Sequence, residues 1–167
     1  MYYHAQSNQY IYPGVFFNIN GQQYDPSFLN TATPEELAAL GLVPVTYVGE
    51  RANDQYYWVS EEFNGPVITY VNTPKDINQV KALAIAQVNQ TAYSLLFPSD
   101  WMVIKFVETQ VPVAADWTTY RANVRTVAAD TKTAITAATT VDEVATIMSS
   151  IVWPVNPDTP VQVPNAE

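Results

Sequence analysis

Apolar residues recur along this chain in two rhythms. Up to about residue 72 they come in short runs rich in β-branched and aromatic side chains, and beyond it they return every three or four positions. The second rhythm is helical. Ile77, Val80, Ala84, Val88, Thr91, Ala92 and Leu95 fall on one face, which predicts a long helix. Thr73 stands as its cap, with Pro74 at its first position and Asp76 in its first turn. Phe97-Pro98 stops it, and Ser99 is expected to cap a second helix carrying Trp101, Ile104, Lys105 and Glu108. Val111-Pro112 makes a connection. A third helix begins near Asp116, whose charge suits the positive end of the helix dipole. Its expected buried stripe is Trp117, Tyr120, Val124, Val127, Ala128 and Ile135. Thr140 and Glu143 form a capping box for a fourth helix with Val141, Val144, Ala145 and Met148 on its apolar face. Short connections make these helices antiparallel neighbours in a bundle.

The first rhythm predicts strands. Val15 to Ile19 and Gln22 to Asp25 flank Asn20-Gly21, a strong hairpin signal because both turn residues must take positive φ. Val43 to Val48, Gln55 to Ser60 and Pro66 to Val71 read as further strands, the last two joined at Asn64-Gly65. One short helix interrupts them. Thr33 caps it, Pro34 takes its first position, Glu36 completes a capping box, and Gly41 ends it in the left-handed conformation. The expected fold is therefore α+β. A small antiparallel β domain (13–72) with one short helix precedes a bundle of about four helices (73–153). Residues 1–12 read as a Tyr-rich arm. Residues 154–167, with Pro154, Pro157, Pro160 and Pro164, read as an extended tail.

Composition changes the picture in one respect. Apolar residues are 48% of the 167, enough for a core, but charged residues are only 14%, against about a quarter in ordinary domains. A surface poor in charge, with 11 Tyr and 4 Trp, suits burial against other proteins. Such a Tyr-rich surface is also compatible with sugars. Net charge is −9, and the seven basic residues are scattered, so neither nucleic acid nor an anionic membrane is an expected partner. Met1 to Tyr12 has no basic start and no apolar core and does not read as a signal peptide.

Candidate chemistry is sparse. Cysteine is absent, which excludes disulfides, thiolate metal sites and a Cys nucleophile. The single histidine, His4, lies in the arm and reads as a surface residue without a catalytic partner. The glycines stand apart and make no phosphate loop. Glu35-Glu36 and Asp142-Glu143 sit at helix N-termini, and Glu61-Glu62 lies near a turn, so none reads as a hydrolytic carboxylate pair. No enzyme activity, cofactor or metal is expected. The candidate partner-binding residues are Tyr2, Tyr3, Tyr10 and Tyr12 in the arm, Arg121 and Arg125 four apart on one helix, and Trp153-Pro154. Asp100 or Glu108 could instead neutralise the two arginines within the bundle. Trp101, Trp117 and Tyr120 are expected mainly in the core.

Several of these residues together resemble a known family. Leu95-Leu96 ahead of Ser99-Asp100-Trp101, the Val111-Pro112 connection, Asp116-Trp117 with Tyr120-Arg121 and Arg125, and Val152-Trp153-Pro154 look like the helical module of bacteriophage tail fibre and tail assembly proteins. Asn20-Gly21 through Tyr24, and Thr33-Pro34-Glu35-Glu36-Leu37 to Gly41, resemble the small domain often found before it. The resemblance covers about residues 15 to 156. It implies a non-enzymatic component of a phage tail, made in the host cytoplasm and residing in the virion as a fibre, baseplate or adaptor protein. Its expected partners are other tail or fibre proteins and further copies of itself. A fibre assembly chaperone that leaves the particle, or a host-glycan receptor-recognition protein, is the alternative. The Tyr-rich start and Pro-rich end depart from the chaperone-like relatives and favour a component that stays.

Overall fold

The structure, a computed structural model, describes residues 1–159. It is α+β and divides into two compact units, one spanning Met1–Thr73 and one beginning at Pro74. In the first unit β1 (Tyr2–His4) and β2 (Gln9–Ile11) form an antiparallel hairpin, with Tyr2 opposite Ile11 and His4 opposite Gln9. The expected arm is thus a folded edge of the domain. The alternation of Tyr2, His4 and Ile11 against polar neighbours is too short to stand out as a strand, yet Ile11 is buried in the core. β3 (Phe17–Ile19) and β4 (Gln22–Tyr24) make the hairpin expected around Asn20-Gly21, whose φ values are 52° and 82°. α1 (Phe28–Thr31) is a single turn that the sequence pattern did not reveal. α2 (Pro34–Ala39) carries the capping box between Thr33 and Glu36, and Gly41 follows at φ +71°.

The run from Val43 to Val48 is two strands. β5 (Leu42–Pro44) pairs antiparallel with β1, and β6 (Thr46–Val48) pairs parallel with a strand that follows. Pro44 lacks the N–H needed to continue a ladder, so the chain changes sheets just after it. β7 (Tyr57–Asn64) and β8 (Val67–Pro74) complete a three-stranded sheet ordered β6-β8-β7. Asn64 remains in the strand and the positive φ falls at Gly65 alone, because Pro66 cannot share it. Glu61 and Glu62 are exposed along β7, an edge strand, where charge discourages unwanted pairing. Ile11, Phe17, Ile19, Leu29, Leu37 and Leu42 form one core of this unit.

In the second unit α3 (Ile77–Leu96) starts later than expected. Thr73 and Pro74 end β8, and Asp76 is the cap, accepting from the N–H groups of Asn78 and Gln79 at 3.0 Å each. Pro74 biases the residue before it toward extended backbone, which prolongs the strand. Val80, Ala84 and Val88 are buried, as the periodicity requires. A 3-10 turn (Phe97–Ser99) leads directly into α4 (Asp100–Thr109), which ends at Gln110 in the left-handed conformation. α5 (Ala115–Ala137) and α6 (Val141–Ser149) follow. α3, α5 and α6 pack on one another. α4 contributes no buried residue to that packing.

Candidate interaction surface

The candidate site begins where α3 ends. The last carbonyls of a helix have no partner inside it. Here two of them find donors on α5. The Tyr120 hydroxyl donates to the Leu95 carbonyl at 3.3 Å, and Arg121 Nη1 donates to the Leu96 carbonyl at 2.9 Å. A cation at this end also suits the helix dipole. Arg121 continues through Nη1 to the Ser99 hydroxyl, and through Nη2 to Asp100 Oδ1 at 2.7 Å. Asp100 lies in the first turn of α4, where a negative charge is favoured. One buried guanidinium therefore ties the end of one helix to the start of the next. Burial raises the pKa of the Tyr120 phenol above its ordinary value.

Ser99 is fully buried, but it does not cap α4. Its hydroxyl donates to the Leu96 carbonyl at 2.8 Å and receives Arg121 instead. Because α4 runs on from a 3-10 turn, the chain has no open N-terminus there for a serine to close. Arg121, four residues from Arg125, is likewise committed inside the unit. Arg125 is exposed, its guanidinium 3.4 Å from the Arg121 carbonyl. Of the two neutralising partners considered for Arg121, Asp100 holds it.

The aromatic residues separate into two groups. Trp117 and Tyr120 are buried with Val124, their rings in edge contact at 5.5 Å and 88°. Trp153, Met102, Val113 and the end of α3 pack against them. Trp153 and Pro154 are half-buried. Asp116 sits in the first turn of α5 and accepts from the Trp117 N–H. Trp101 departs from the expected core position and is 56% exposed, with Lys105 Nζ 6.0 Å from its ring. The physical reason lies in α4 itself: Met102 packs against the Trp117 cluster, Trp101 and Lys105 only border a hollow they share with Trp117, and the remaining faces of the helix carry no buried residue.

Those faces are apolar. Trp101, Val103, Ile104, Phe106 and Val107 on α4, with Phe97 before it and Val111 after it, are all exposed large hydrophobic residues. A helix with this much apolar surface normally buries it against other elements. A contiguous exposed patch of this kind marks an interaction site. The sequence held the signal: six of the ten residues from Asp100 to Thr109 are apolar, and Trp101 and Ile104 interrupt even the half of the helix that holds Asp100, Lys105, Glu108 and Thr109.

The N-terminal tyrosines sit on the hairpin of the first unit. Tyr2 packs against its core, Tyr3 bonds Asn8 at 3.0 Å, and Tyr10 donates to the Gly65 carbonyl at 2.7 Å. Tyr12 is exposed. His4 is buried, with Nδ1 2.6 Å from the Ser7 hydroxyl, which corrects the expectation of a surface residue. Among the described residues, no group of three or more His, Asp or Glu side chains is placed to hold a metal ion. No helix among them is long and apolar enough to cross a membrane. The expected tail falls largely on residues 160–167, outside the described residues. Comparisons with protein-family models, with curated proteins and with solved structures find no match to this chain.

Proposed function

We propose that the chain is a non-enzymatic structural component of a bacteriophage tail, a fibre, baseplate or adaptor protein that works through protein–protein contacts. The observation that carries the contact part is α4, a helix without a buried residue that exposes Trp101, Val103, Ile104, Phe106 and Val107. Such a helix is too short to be stable alone in water, where about 12–15 residues are needed. Burial in a neighbouring protein would supply the missing packing. The phage part rests on the resemblance of the Asp100-Trp101, Asp116-Trp117, Tyr120-Arg121 and Trp153-Pro154 pattern to tail fibre and tail assembly proteins.

A second reading draws on the same helix. An assembly chaperone would offer α4 to an unassembled fibre and then leave. Quantitative mass spectrometry of purified particles separates the two. A fixed copy number per virion is the expected outcome. Presence in infected lysate with absence from particles would replace the structural reading by the chaperone.

A further inference from the structure

The contact reading of α4 leaves open what covers it, and the helix carries a pattern that answers. Lys105 and Glu108 are both exposed, and neither joins an ion pair among the described residues. They lie one turn apart on the helix, on either side of Phe106 and Val107. Turning the helix end for end about that midpoint exchanges the two positions. A parallel arrangement of two such helices sets Lys105 against Lys105 and Glu108 against Glu108. An antiparallel one sets each lysine against the other copy's glutamate. Trp101 and Ile104, both exposed, share one face with Lys105 and Glu108 at the three- and four-residue spacing of a helix–helix seam. A different protein would need to carry the matching charges, whereas a second copy carries them already.

We propose that α4 pairs antiparallel with α4 of a second copy of this chain about a two-fold axis, with Lys105 of each copy opposite Glu108 of the other. The interface is isologous, as in most closed homodimers. The proposal rests on the contact surface put forward above and adds its occupant. An anionic membrane is the less suitable cover, since α4 holds two acidic residues and one basic one in a chain of net charge −9.

Sedimentation equilibrium of the full chain tests it. The wild type is expected to be a reversible dimer. Ile104→Glu should be a monomer with an unchanged melting temperature, because Ile104 is 59% exposed and supports no core. Lys105→Glu and Glu108→Lys should each raise the dimer Kd by about ten-fold through like-charge contact. The double variant K105E/E108K restores the complementary pattern with its signs exchanged and should recover wild-type Kd. A monomeric wild type, a dimer indifferent to Ile104→Glu, or a double variant no tighter than the single ones would overturn the pairing. Counting Ile104→Glu copies in particles separates this from the broader reading. If the wild type is monomeric and the variant is still excluded from particles, the self-pairing fails and α4 remains a tail contact. If the variant is monomeric and enters particles at full copy number, the self-pairing stands and α4 is not the tail contact.

Discussion

Removing the Arg121 side chain would break three hydrogen bonds at once and leave the buried Ser99 hydroxyl with one partner fewer, although the Leu96 carbonyl keeps its Ser99 bond and the half-exposed Asp100 turns to water. The Leu96 carbonyl, the Ser99 hydroxyl and Asp100 all take hydrogen bonds from it, and Ser99 is fully buried. Arg121→Ala should destabilise the chain by about 3 kcal/mol, the range for breaking a buried, hydrogen-bonded charge. Arg121→Lys should recover only part of that, because an ammonium cannot span the fork of sites. Urea denaturation measures both. The ion pair of Arg51 with Asp54 is the internal contrast: its side chains are 53% and 63% exposed, and such pairs contribute little. Sequence placed Asp100 and Arg121 as possible partners but could not choose between packing and recognition. The choice depends on where α3 ends relative to α5, which is a tertiary fact.

At the scale of elements, local rules read well wherever the determinants are local. Both capping boxes form as spaced, and Val80, Ala84 and Val88 of α3 and Trp117, Tyr120, Val124, Ala128 and Ile135 of α5 are buried where the period puts them. Errors came where a distant partner decides. β1 is a short strand held between β2 and β5, and Val43 to Val48 divides because its halves join different sheets. Glu143 offers a test of one local rule. Its carboxylate accepts from the Thr139 N–H and hydroxyl and from the Thr140 N–H, and the Thr139 bonds chiefly lower its pKa below the ordinary 4.5. A lowered pKa stabilises the fold above the unfolded value, and that stabilisation is lost as pH falls through the folded one. The stability gap between wild type and Glu143→Gln should therefore be full at neutral pH and close as pH drops below about 4.5. A gap that widens on acidification would contradict this.

Across the whole molecule, the division into two units has an energetic meaning. Each has its own buried cluster, Ile11 to Leu42 in one and residues such as Val124 and Trp117 in the other. Ile135 is fully buried in the helical unit. Ile135→Ala should cost about 2–5 kcal/mol there. Hydrogen exchange should show the loss in the amides of α3, α5 and α6 and leave those of β1, β2 and β5 near wild type. Uniform loss of protection across the chain would mean that the two cores unfold as one. The change of rhythm near Thr73 made this division visible in the sequence. The exposure of α4 is less visible there, because an apolar helix reads as core, yet none of its residues is buried. That exposure has a consequence for inheritance. Substitutions on the outer faces of α4 leave folding untouched, so they are judged only by what the helix meets. Lineages could retarget this protein by rewriting the exposed residues of α4, while Asp100, Met102, Arg121 and the caps keep the scaffold that presents them.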